Sequence, residues 1–328
     1  MRDLPYLIPI LFTFYISLGL AQPKTLAVST AFALSIVWGI ARGRGIMWQD
    51  RGLKIPKRYI YYAFWTSLAI ILIQLLKLGQ IPLLNPTIRT QLSPRLTALT
   101  YFLGVPTSVY LFLEGRRYSL MYPLFVALYA YRTPVLVSIL AIGLAYYEEG
   151  IKLERGNLKK LVGIAFLGIV LFEMITYLRG NTVSSLWVRF QSTVSALDVI
   201  VWRGDWLGTY HGSLQWAGVT SYFMGGYSPR GLIAKFLYVR TGATITATLL
   251  GGIYLDFGVF SIIEGFLLGI YYGMMSRAEN PITKALYYST LSYGIAGVET
   301  GILDLPVYLL FAAGIYVLYQ GYRAGESK

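Results

Sequence analysis

Thr241–Gly273 reads TGATITATLLGGIYLDFGVFSIIEGFLLGIYYG. Its apolar run exceeds the roughly 20 residues that carry a helix across a ~30 Å hydrocarbon layer at 1.5 Å per residue. Gly251, Gly252, Gly258, Gly265, Gly269 and Gly273 give a span able to pack closely against neighbours, as small residues do inside membranes. Asp256 and Glu264 interrupt the run. Intramembrane carboxylates are costly, so they are expected to face an interior cavity or a basic partner. Glu173 and Arg132, the latter close to Pro134, raise the same question. For Glu264, which should lie deeper than Asp256, a structural ion pair is the expectation.

Working outward, runs of the same kind recur at about 5–21, 25–41, 59–77, 95–113, 119–131, 133–147, 161–178, 245–275, 285–298 and 306–321. The chain therefore reads as an all-α polytopic integral membrane protein with about ten transmembrane helices and one long extracytoplasmic loop. It divides into N-terminal helices (1–178), the loop (179–244) and C-terminal helices (245–328). The fifth run is too short to cross untilted and suits a re-entrant or broken helix held against protein. Met1–Ala21 resembles a signal peptide, but a second apolar run begins at Thr25, so it is read as a retained span.

Composition agrees. Hydrophobic residues make up 56% of the 328 and charged residues 13%, about half the charge of soluble domains. Cysteine is absent and His211 is the only histidine, which excludes thiolate chemistry and leaves no His- or Cys-based zinc site. No metal and no cofactor is expected.

The net charge of +13 has to be sorted by membrane side before it is read as a partner signal. Arg42–Arg58, Arg116–Arg117, Lys152–Lys160, Arg277 with Lys284, and the termini hold 17 of the 28 Lys and Arg residues. They fall at alternate turns, which places them in the cytoplasm together with both termini. Short turns on the other side hold Lys24, Lys77, Arg89, Arg95 and Arg132. The long loop keeps Arg179, Arg189, Arg203, Arg230, Lys235 and Arg240 against Asp198 and Asp205, an external excess that asks for an anionic partner. Nucleic acid is not expected.

The loop also carries Trp187, Trp202, Trp206 and Trp216 in the stretches NTVSSLWVRFQS, WRGDWLGTYHGSLQW and SYFMGGYSPRG. Aromatic faces suit the C–H face of a sugar, and the planar guanidinium suits phosphate or diphosphate. The plain alternative is an interfacial belt of Trp and Tyr with snorkelling Arg. GGYSPRG reads as a turn that aims Arg230 and backbone N–H groups at an anion, with Tyr227 beside it. His211 is a candidate proton carrier.

The ten-span layout, the late external loop, the element Tyr254 to Gly258 (YLDFG) inside Gly242–Gly273, and LYAYRTPVL around Arg132 resemble the Wzy-like O-antigen and oligosaccharide repeat-unit polymerases, relatives of the O-antigen ligases. The resemblance implies a metal-independent glycosyltransferase of the cytoplasmic (plasma) membrane. It would join a polyprenyl-diphosphate-linked oligosaccharide donor to a carrier-linked acceptor on the outer face, among membrane lipid and other glycan-assembly partners. Fixed Arg donors would stabilise the diphosphate leaving group. Arg132, Arg189, Arg203, Arg230 and Arg240 are the binding candidates, with Trp202, Trp206 and Tyr227 for the sugars. His211, Asp198 and Asp205 are the candidates for acid–base work on the acceptor hydroxyl, with Glu299 beside them. Rival readings are a transporter or flippase for a lipid-linked or anionic solute, coupled through Asp256 and Glu264, and an intramembrane serine protease, for which no G-x-S-x-G elbow surrounds Ser213 or Ser228.

Overall fold

The computed structural model describes residues 3–53, 55–148, 185–239 and 245–326. Among them the chain is helical, with no strand. The helices are α1 (Leu7–Leu18), α2 (Pro23–Gly45), α3 (Lys57–Leu78), α4 (Pro94–Leu113), α5 (Met121–Ala127), α6 (Arg132–Glu148), α7 (Ser185–Arg203), α8 (Ser213–Phe223), α9 (Pro229–Phe236), α10 (Thr248–Phe257), α11 (Ser261–Met275), α12 (Pro281–Thr300) and α13 (Leu305–Glu326). Five segments are long and apolar enough to cross a membrane: Pro23–Gly45, Lys57–Leu78, Pro94–Leu113, Thr248–Met275 and Leu305–Arg323. The expected span at 161–178, with Glu173, lies outside the described residues, as do Arg179 and Arg240. The fifth expected span is only the seven-residue α5 after a 3₁₀ turn at Arg117–Leu120.

The 241–273 stretch decides much of this architecture. On α11, Gly265, Gly269 and Gly273 repeat every four residues; Gly269 meets Gly39 and Gly273 meets Gly43 of α2, while Gly265 lies against Phe32 and Ser35. A Cβ on Gly269 would stand 2.3 Å from the Ile36 carbonyl oxygen, and one on Gly39 would stand 2.2 Å from that of Phe266. The two helices run parallel with their backbones in contact, the arrangement that small residues permit where lipid supplies no hydrophobic drive. The span is not one continuous helix. Gly258, at φ +55°, breaks it between α10 and α11.

Residues 206–212 pack against that break. Val259 N–H donates to the Trp206 carbonyl (3.0 Å), while Thr209 and Tyr210 N–H donate to the Leu255 carbonyl (2.7 and 2.9 Å). Irregular backbone at membrane depth persists where protein satisfies its polar groups, and these bonds do so.

Helix α12 is the central post, in contact with α1, α4, α6, α10 and α13. It is rich in hydroxyls, and these turn back onto its own backbone: Ser289 to Ala285 O (2.7 Å), Thr290 to Leu286 O (3.0 Å) and Ser292 to Ser289 O (2.7 Å). Internal bonds of this kind let polar side chains sit in a dry core.

The two ends of the bundle differ. At one end, the last turn of α2, the first of α3, the turns after α4 and α11 and the end of α13 carry Arg42, Arg44, Arg51, Lys57, Arg58, Arg116, Arg117, Arg277, Lys284 and Arg323. Asp50 ties this end together, accepting from Glu279 N (2.8 Å), Asn280 N (2.7 Å) and Thr283 Oγ1 (2.8 Å). The other end is covered by residues 185–239, where the sequence reading expected a loop. The described part is three helices, α7 to α9. Helices satisfy the backbone polar groups of this stretch internally where it packs on the bundle.

Candidate functional site: an arginine-lined cavity

Beneath that helical cap lies a cavity of about 980 Å³, at the upper end of the roughly 300–1,000 Å³ typical of ligand sites. Arg89, Arg132, Arg189, Arg203 and Arg230 all line it. They come from distant places: Arg89 from a 3₁₀ turn at Pro86–Gln91, Arg132 from the start of α6, Arg189 and Arg203 from α7, and Arg230 from the start of α9.

Two of the five are held by carboxylates. Arg189 pairs with Glu299, and Arg230 donates to Asp304 at 2.6 Å. Glu299 and Asp304 flank the α12–α13 turn, so one short turn clamps an arginine from α7 and another from α9. Glu299 and Asp304 thus offset two of the five guanidinium groups that line the cavity. Arg132, only 8% exposed, is the first residue of α6.

The backbone adds to this field. Helices α4, α6, α9 and α13 begin at the cavity, and α10 begins just beyond it: Pro94, Arg132, Arg230, Pro306 and Thr246 are lining residues in or beside their first turns. Helix N-termini carry positive partial charge and unpaired N–H groups, which favour phosphate-like anions. Proline at the first or second position starts α4, α9 and α13. Ser228 caps α9 by accepting from Gly231 N at 3.2 Å.

Hydroxyls line the deeper wall. Thr97 and Tyr101 of α4 and Tyr293 of α12 are more than nine-tenths buried, and their hydroxyl oxygens have no hydrogen-bond partner among the described residues. The Nε of Arg230 is in the same state. Burial pushes the Tyr222 phenol, on α8, above its usual range; Asp304 adds to that shift and Arg230 opposes it.

Helix α8 is pinned over the cavity at both ends. Asp256 of α10, fully buried, accepts from Gly212 N (3.0 Å), Leu214 N (3.0 Å) and Gln215 N (2.8 Å) at its start. Arg95 of α4 donates to the Tyr222 and Phe223 carbonyls (2.7 and 2.9 Å) at its finish. Glu264 accepts from the Gln215 side chain at 2.7 and 2.9 Å. The two intramembrane carboxylates that a coupled transporter would use thus hold the cap, and Glu264 has an amide partner where an ion pair was expected.

The other sequence candidates lie away from the cavity lining. Asp198 accepts from Gln22 N (3.0 Å) and fixes α7 to the start of α2. Asp205 is exposed in a turn and accepts from Leu207 N at 3.5 Å. His211 is exposed with φ +49° beside the Asp256 anchor. Trp202, Trp206 and Tyr227 are 71%, 67% and 62% exposed; Lys24 stands over the Trp202 ring and Lys235 over the Tyr227 ring. Arg89, Asp304, Tyr101 and Tyr293 are the cavity residues that sequence reasoning did not single out. The signal was present in Ser-Pro-Arg at 93–95 and 228–230, Arg-Thr-Pro at 132–134 and Asp-Leu-Pro at 304–306, each of which marks a helix start.

Fold and cavity together define a multi-pass α-helical membrane protein with an arginine-lined chamber at one end of its bundle. Residues 1–311 match the family described as "Putative O-antigen polymerase", and the chain belongs to that family. It is also similar to an uncharacterized protein of Methanocaldococcus jannaschii, 27% identical over 287 residues, which cover 83% of this chain and 79% of the relative. No solved structure matches the chain.

Proposed function

We propose that the protein is a metal-independent glycosyltransferase that polymerises polyprenyl-diphosphate-linked oligosaccharide repeat units on the extracytoplasmic face of the plasma membrane. The observation that carries this reading is the convergence of five arginines and several helix N-termini on one chamber. A diphosphate leaving with the electron pair of the broken sugar–oxygen bond is an anion that fixed cations in a water-poor site stabilise strongly. Arg189 and Arg230, braced by Glu299 and Asp304, are held in place before substrate arrives, and this preorganisation is what favours the transition state over the ground state.

The orientation in this reading, with the chamber and its cap outside and both termini inside, is supported by the ten basic residues clustered at the far end of the bundle, since Lys and Arg near span ends are retained in the cytoplasm. Among the described residues no group of three or more His, Cys, Asp or Glu side chains could hold a metal ion.

The test is reconstitution. Purified protein in liposomes, given a polyprenyl-diphosphate-linked repeat unit, is expected to yield a ladder of products differing by one repeat and to release polyprenyl diphosphate. Flux of the lipid-linked glycan between leaflets without any ladder would support the flippase alternative and refute the polymerase.

A further inference from the structure

Resting on the polymerase reading, we infer that Asp304 is the general base of the transfer and that Tyr101, Tyr293 and Thr97 form the subsite for the acceptor sugar. Glu299 holds Arg189 but is not part of the cavity lining, whereas Asp304 is. One Asp304 oxygen receives the Arg230 bond at 2.6 Å; the other has no hydrogen-bond partner among the described residues. The Asp304 side chain is about one-third exposed, so it is open to a ligand in the chamber.

The three buried hydroxyls give the second, independent observation. Each is nine-tenths buried, polar, without a partner among the described residues, and set in the wall of the same chamber. Buried polar groups in native proteins are almost always satisfied, and sugar hydroxyls can both donate to and accept from them. Tyr293 and Thr97 belong to α12 and α4, which lie deeper in the bundle than the arginine-bearing cap. The chamber wall therefore offers two chemistries, guanidinium groups suited to diphosphate and neutral hydroxyls suited to sugar. Asp304 belongs to the same wall and is bonded to Arg230.

The step balances as follows. The acceptor hydroxyl oxygen attacks the anomeric carbon of the donor glycan, and the bond from that carbon to the diphosphate oxygen breaks with its electron pair going to the diphosphate. The acceptor's proton passes to the outward carboxylate oxygen of Asp304 and from there to water. The Arg230 bond keeps Asp304 aimed before attack, and the same guanidinium faces the developing charge.

The test uses full-length protein in nanodiscs with a lipid-linked repeat unit, and polyprenyl diphosphate as the binding probe. Asp304→Asn is expected to bind the probe within threefold of wild type while losing roughly 10²- to 10⁴-fold in transfer rate, the usual contribution of a positioned base. With Asp304→Ala, added azide, a nucleophile with no proton to lose, is expected to restore donor consumption and give a glycosyl azide. Tyr293→Phe is expected to raise the KM for acceptor more than it lowers kcat. Polymerisation by Asp304→Asn within threefold of wild type overturns the assignment while leaving the polymerase reading intact. Loss of probe binding in that variant also overturns it, by showing that Asp304 serves only to position Arg230. A wild-type protein that makes no polymer removes both proposals together.

Discussion

Removing Asp256 should loosen the cap over the cavity without touching the cavity itself. Its two oxygens take three backbone N–H groups from the first turn of α8. Stranding a buried donor costs about 1–3 kcal/mol, and loss of a helix cap costs about 1 kcal/mol. Leu214 is fully buried, while Gly212 and Gln215 are half-buried and can recover water. The lower part of the range therefore applies to each of the three donors, about 3 kcal/mol in all for Asp256→Ala, which is about a hundredfold at 1.4 kcal/mol per tenfold. Asp256→Asn should do less harm. Its carbonyl oxygen keeps Gly212 and Leu214, but its NH₂ then faces the Gln215 N–H donor to donor, a loss of about 1–2 kcal/mol, or about tenfold. Amide exchange over 212–216, measured in nanodiscs by mass spectrometry, reads the local opening directly. The expected order is wild type slowest, Asp256→Asn intermediate and Asp256→Ala fastest. Transfer activity should fall in the same order, because Tyr222 and the cavity wall travel with α8. Unchanged exchange in Asp256→Ala would refute the account of how α8 is held.

Arg189→Ala and Arg230→Ala each remove a guanidinium and leave its carboxylate partner, Glu299 or Asp304, uncompensated; both are expected to cut chain growth by about 10²-fold or more, as loss of one preorganised donor does, with insertion into the membrane unchanged on fractionation. Lysine at either position should restore only part of the rate, since it lacks the planar fork. Gly269→Leu drives side-chain atoms into the α2 backbone, where even a Cβ is 2.3 Å from the Ile36 carbonyl, and should lower the melting temperature in detergent; retention of wild-type melting would mean the two helices are free to part. Polymerisation should survive EDTA, and rescue of lost activity by a divalent ion would overturn the reading of arginine as the sole source of positive charge at the diphosphate.

Much of the architecture was legible because membrane insertion leaves a coarse mark on sequence. Apolar runs long enough to span, glycines every fourth residue in α11, and Lys and Arg gathered at alternate turns are all local properties, and each corresponds to a feature of the bundle. The helical cap was not legible. Residues 185–236 mix Arg, Trp, Gly and Ser without a clean apolar stripe, and they fold as helices because neighbouring segments satisfy the chain: Asp256 at the start of α8, Arg95 at its end, and Gln22 and Lys24 beside α7. The break at Gly258 was equally hidden, since a glycine in an apolar run has the same appearance in a straight helix and in a broken one.

The same division holds for the site. Arginine's suitability for diphosphate, the absence of thiol chemistry and the poverty of metal ligands follow from residue identity, so the proposed chemistry is framed by the chain alone. Which arginines act together could not, because Arg89, Arg132, Arg189, Arg203 and Arg230 are separated by up to 141 positions and meet only where helices from both halves of the chain begin at one end of the bundle. Proximity in space is set by packing, above all by the α2–α11 glycine contact and the central α12 post. That packing turned Asp198 and Asp256 into anchors and brought Asp304 to the cavity wall.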